Sequence, residues 1–76
     1  MVLIARKDLK LSAGKLAVQC AHAATSCALA ANKSEKRLLE RWKNSGARKI
    51  CLQVEDLPSL QRLAGQAQSA NLITHI

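Results

Sequence analysis

Between Gly14 and Ala24 the strongly polar side chains fall on one line of a helix. At about 100° per residue, Lys15, Gln19, His22 and Ser26, spaced by four, three and four, share an arc of about 60°. Leu16, Ala17, Val18, Cys20, Ala21, Ala23, Ala24, Cys27 and Ala28 occupy the rest of the circumference. A helix apolar on nearly all sides is expected to be buried. One that keeps a thin polar line is a candidate for the wall of a site.

Seventy-six residues make at most one domain, and a chain this short hides a modest share of its surface, so marginal stability is expected. With 49% apolar and 22% charged residues the chain reads as folded rather than disordered. No apolar stretch approaches the ~20 residues of a membrane span, and Val2 to Ala5 is too short for a signal-peptide core, so a cytoplasmic protein is expected. A formal charge of +7 and a pI near 9.9 favour a polyanionic partner such as nucleic acid over a merely solvated surface. Membrane-surface binding fits less well, because Glu35 to Lys43 carries acids and only a narrow apolar face of Leu38, Leu39 and Trp42. The three cysteines, an odd number, read as free thiols. Cys20, His22 and Cys27 match no zinc spacing and read as packing residues, so neither metal nor cofactor is expected.

Val2 to Ala5 has the continuous apolar character of a covered strand, followed by the charged turn Arg6-Lys7-Asp8. Ser12 can cap a helix running to about Ala31, and a second helix is expected from Ser34 or Glu35, with Leu38, Leu39 and Trp42 inward. Gly46 stands where a left-handed C-terminal residue is wanted. Ile50, Leu52 and Val54 alternate as a strand; Asp56 and Pro58 then open a third helix with Leu57, Leu60, Leu63, Ala64 and Ala67 inward. Leu72 to Ile76 reads as a further strand. The alternation predicts an α/β sheet with right-handed crossovers. Because the sequence stops inside an apolar strand signal, residues 1–76 read as a single truncated domain.

Two stretches carry a resemblance. Val2-Leu3-Ile4-Ala5-Arg6-Lys7-Asp8-Leu9-Lys10 and Gly14-Lys15-Leu16-Ala17-Val18-Gln19-Cys20-Ala21-His22-Ala23-Ala24 are similar to the opening strand, the Arg-x-Asp-Leu-Lys turn and the Gly-Lys-x-Ala-x-Gln-x-x-His-Ala helix of the archaeal and eukaryotic (class two) peptidyl-tRNA hydrolases. Trp42, Gly46 and Lys49 to Val54 resemble that family's second helix, turn and strand. The resemblance implies a three-layer α/β/α fold with a small mixed sheet, here without the family's C-terminal loop and last strand. It implies hydrolysis of the peptidyl-tRNA ester by a cytoplasmic homodimer. The family's catalytic lysine maps onto Lys15, while its acidic and hydroxyl partners have no position here. Ala13 stands where the family often has glycine, which alters how closely a phosphate can approach.

Ester hydrolysis requires water directed at an acyl carbonyl and a stabilised oxyanion. A lysine in the first turn of a helix, beside that turn's free N–H groups, suits the second task; with its pKa lowered by burial it would instead be a base. Charge stabilisation is the favoured role for Lys15. His22 reads either as a proton shuttle or substrate hold, or as a satisfied core histidine; Gln19 reads as an orienting amide or a buried tie; Ser26 reads as structural. Contacts with tRNA should be to phosphates, with Arg6, Lys7 and Lys10 first, Arg48 and Lys49 next, and Lys33, Lys36, Arg37, Arg41 and Lys43 a solvated helix face. The competing readings are a non-catalytic basic tRNA- or RNA-binding module and an inactive fragment of the hydrolase.

Overall fold

Parallel strands cannot be joined by a tight turn, so a parallel pair draws its two members from distant parts of a chain. In a computed structural model describing residues 1–76, β1 (Val2–Arg6) pairs in parallel with β2 (Ile50–Val54), Val2 opposite Ile50 and Arg6 opposite Val54. The crossover runs through a single 3-10 turn (Lys7–Leu9), α1 (Ala13–Ser34) and α2 (Lys36–Asn44); α3 (Leu57–Ser69) follows β2. The α/β class is as the alternation predicts. These two strands form a purely parallel sheet rather than the mixed one that the resemblance implies.

The helix ends follow local chemistry. Ser12 Oγ accepts from the Lys15 amide at 3.3 Å, and the Asp56 carboxylate accepts from the Ser59 amide at 3.0 Å, with Pro58 in the first turn of α3. At the end of α2, Gly46 takes φ +103, the Ala47 amide donates to Trp42 O at 2.8 Å and the Gly46 amide to Lys43 O at 3.1 Å, the paired bonds of a Schellman closure. The end of α3 repeats this, with Asn71 at φ 60 and the amides of Leu72 and Asn71 donating to Ala67 O and Gln68 O, both at 3.0 Å.

Three expectations are corrected. Helix α1 continues past Ala31 to Ser34, and Glu35 alone separates it from α2. Nor is α1 wrapped on all sides: Leu16, Cys20, Ala23, Ala24, Cys27 and Ala28 are half-buried and Ala31 buried, whereas Val18 is 66% and Leu29 62% exposed. A platform of two strands is too narrow to enclose a helix, so only one flank of α1 is covered. Leu72 to Ile76 forms no strand, since strand geometry needs a neighbour's hydrogen bonds and the segment pairs with none. Of the inward positions expected on α3, Ala64 is buried, Leu57, Leu60 and Ala67 are half-buried, and Leu63 is 39% exposed. Helix α1 packs on β1 and α2, and α3 on both strands, around a core whose fully buried members are Ala5, Ala31 and Ala64.

Candidate functional site

Strand β1 ends at Arg6 and α1 starts at Ala13; β2 ends at Val54 and α3 starts at Leu57. By connection, both helix N-termini lie outside the carboxyl ends of the strands, where α/β sheets place their ligands. The first turn of α1 is open there. Ser12 satisfies the Lys15 amide, but the amides of Ala13 and Gly14 donate to no protein acceptor. The Lys15 side chain is exposed and forms no ion pair or hydrogen bond within the chain. An ammonium and two free N–H groups therefore gather at the positive end of a 22-residue helix.

Lys15 and Gln19 line one shallow hollow together with Leu11, Gly14 and Val18. His22 lies one turn further along α1, outside that lining, and its ring centroid is 5.9 Å from that of His75 at a 55° tilt. The polar line therefore divides: its first two members share a hollow, and the third meets the segment after α3. Ser26 is half-buried. Sequence reasoning missed three features here. Leu11 and Val18 carried no signal beyond their apolar character, and His75 is brought to His22 only by the fold. Gly14 was legible as part of a motif, but its role becomes specific only here: a Cβ at this position would meet nothing within 4 Å, so the protein's own packing does not require glycine.

The cations proposed for tRNA separate into two groups. Arg6, Lys7 and Lys10 surround the carboxyl end of β1. Arg6 grips Asp8 with both forks, Nε to Oδ1 at 3.1 Å and Nη2 to Oδ2 at 2.9 Å. That hydrogen bonding raises the Arg6 pKa and holds the Asp8 carboxyl below its ordinary range. Lys7 Nζ lies 4.0 Å from Glu55, and Lys10 adopts φ 49 as the chain turns toward α1. Arg48 and Lys49 precede β2 at the opposite end of the sheet, separated from the first group by a five-residue strand of about 17 Å. There Lys49 Nζ stands 5.1 Å from the Trp42 ring centroid and donates to Ala47 O at 2.9 Å. The thiols lie apart from this chemistry: burial, and then the neighbouring Cys51, push the Cys20 thiol up, away from a reactive thiolate. No group of three or more His, Cys, Asp or Glu side chains is arranged to hold a metal ion.

The family described as Peptidyl-tRNA hydrolase PTH2 matches residues 1–76. Among curated relatives, the Probable peptidyl-tRNA hydrolase 2 of Schizosaccharomyces pombe is 41% identical over 76 residues, covering 100% of this chain and 37% of the relative. The Peptidyl-tRNA hydrolase of Thermoplasma volcanium is 36% identical over 76 residues, and that of Pyrobaculum aerophilum 40% identical over 78; the chain is covered in full and each relative to 65%. The chain thus spans between 37% and 65% of the length of these relatives. With its whole length matched, this chain belongs to the peptidyl-tRNA hydrolase PTH2 family.

Proposed function

We propose that this protein hydrolyses the ester joining a peptide to the terminal ribose of tRNA, releasing free peptide and tRNA. The observation that carries the reading is the unpaired Lys15 ammonium beside the free Ala13 and Gly14 amides at the N-terminus of α1. Water adds to the ester carbonyl, negative charge grows on its oxygen, and the carbon–oxygen bond to ribose then breaks as the ribose oxygen takes a proton. Lys15 and the helix end stabilise that oxyanion, a role that needs a fixed positive field rather than a proton acceptor. Gln19, on the same hollow, offers an amide that can donate to and accept from the peptide backbone. His22 extends the polar line toward the ribose, as proton shuttle or substrate hold.

The tRNA is held through phosphates by Arg6, Lys7 and Lys10 at the same end of the sheet, with Arg48 and Lys49 at the other, and the protein acts as a cytoplasmic homodimer on peptidyl-tRNA. Residues 1–76 form a single domain in this reading. Release of peptide from peptidyl-tRNA, compared between this protein and its Lys15→Ala variant, tests the mechanism. A loss of about 100- to 1,000-fold is expected for an oxyanion-stabilising group. Equal release from both proteins would remove Lys15 from the chemistry.

A further inference from the structure

Lys15 and Lys10 are not the chain's only unpaired cations: a second set lies away from the candidate site. Arg6 is closed on Asp8, Lys7 faces Glu55, and Lys49 is engaged with Trp42 and Ala47 O. Lys33, in the last turn of α1, and Lys36, Arg37 and Arg41 of α2 are exposed and form no ion pair. Lys36, Arg37 and Arg41 line one open hollow of about 490 Å³ together with Glu40, whose carboxylate is 3.4 Å from Lys43 Nζ. The opposite side of α2 is turned inward: Leu39 and Trp42 are half-buried, leaving Leu38 as its one exposed leucine, at 52%. That is too little apolar area to insert into a lipid surface. A row of exposed cations in no ion pair, with only isolated leucines beside it, matches a phosphate backbone.

We infer that the Lys36–Arg37–Arg41 face of α2, with Lys33 just before it at the end of α1, is a docking surface for the duplex phosphates of the tRNA acceptor arm, distinct from the place that receives the ester. The inference rests on the peptidyl-tRNA reading and adds a spacing to it. Along α1 the rise from Lys15 to Lys33 is about 27 Å. The unpaired 3′ end carrying the ester occupies the first part of that distance, so the cations at the far end of α1 meet the paired stem behind it. Helix α1 thus sets the separation between the reacting bond and the duplex.

The test uses fluorescence anisotropy with two probes, deacylated tRNA and a short single-stranded oligonucleotide of the tRNA 3′ end, against wild type and the triple variant Lys36→Gln/Arg37→Gln/Arg41→Gln. Glutamine keeps the helix propensity of α2. The expected result is about tenfold weaker binding of tRNA and a salt dependence shallower by roughly two to three counterions, with the oligonucleotide bound as before. Equal weakening for both probes would show a bulk-charge effect and overturn the proposal, as would unchanged tRNA binding. Loss of binding to vesicles containing anionic phospholipid, with tRNA binding intact, would assign the face to a membrane and also overturn it. Should the triple variant lose helicity by circular dichroism, Lys33→Gln/Lys36→Gln gives the same comparison from the other rim. Failure of the hydrolase reading shows separately, as no release of peptide from peptidyl-tRNA by the wild-type protein, whichever way the anisotropy falls.

Discussion

The two ends of the small parallel sheet use charge in opposite ways. At the amino end, the Arg48 carbonyl accepts from the Met1 ammonium at 3.0 Å and from the Trp42 indole at 2.8 Å, while Lys49 lies over the Trp42 ring. The Met1 ammonium, the Trp42 indole and the Lys49 ammonium there are turned onto the chain itself and fasten the crossover to the strands. At the carboxyl end, acids and bases pair around the loops, but Lys15 and the first amides of α1 face outward with no partner. A net charge of +7 does not reveal this division. The same residue type closes the fold at one end and is offered to a ligand at the other.

The contrast can be broken most directly by crossing two variants. Lys15→Ala is expected to cut peptide release by about 100- to 1,000-fold while leaving the unfolding midpoint where it was. Trp42→Ala should do the reverse, costing about 2 kcal/mol in denaturant unfolding through lost packing and the lost indole donor, with release per folded molecule retained. If each variant moved both measurements, the two ends would not be independent. A smaller effect sharpens the picture of the open end. Because a Cβ on Gly14 meets empty space, Gly14→Ala should stabilise α1 by about 0.5–1 kcal/mol, yet slow release by crowding the hollow. Release at the wild-type rate would mean that substrate keeps away from this turn.

The smallest effect is in acid. Hydrogen bonds from Arg6 hold the Asp8 carboxyl below its ordinary range, and those from Ser59 do the same for Asp56. Since both folded-state values lie below the unfolded ones, these groups stabilise the protein above the ordinary carboxylate range near 4 and cease to do so as pH falls through the lowered values. Both are solvent-exposed, so the contribution is small. Thermal melts between pH 6 and 2 should show a shallower acid limb for Asp8→Asn and Asp56→Asn. The amino-end contacts contain no carboxylate, so acid should loosen the open end before the fastened one.

Much of the fold was legible because its signals are local. Ser12 and Asp56 announce their helices by accepting hydrogen bonds from amides three residues on, and Gly46 announces a stop by tolerating a positive φ. The Asn71 closure uses the same backbone geometry with a residue whose sequence signal is weaker. The apolar run Leu72 to Ile76 states a propensity, but only a neighbouring strand converts propensity into structure. Periodicity overstates the burial of α1 for a related reason, since it reports which sides are apolar and not how wide the covering surface is. In the site, Lys15 and Gln19 were readable because a helix fixes what lies one turn apart. The His22–His75 approach and the closure of Arg6 on Asp8 depend on where the chain returns and on rotamers, which spacing does not encode.

Helix α1 is much longer than the strands it crosses. Its 22 residues rise about 33 Å, whereas a five-residue strand extends about 17 Å, so roughly half of the helix overhangs the sheet and leans on α2. Amide protons in that overhang should therefore exchange with the opening of the α1–α2 hairpin, while those near Leu16 and Cys20 wait for the strands to separate. One continuous helix would then carry two clocks, and the slower one would keep time for the end that holds Lys15.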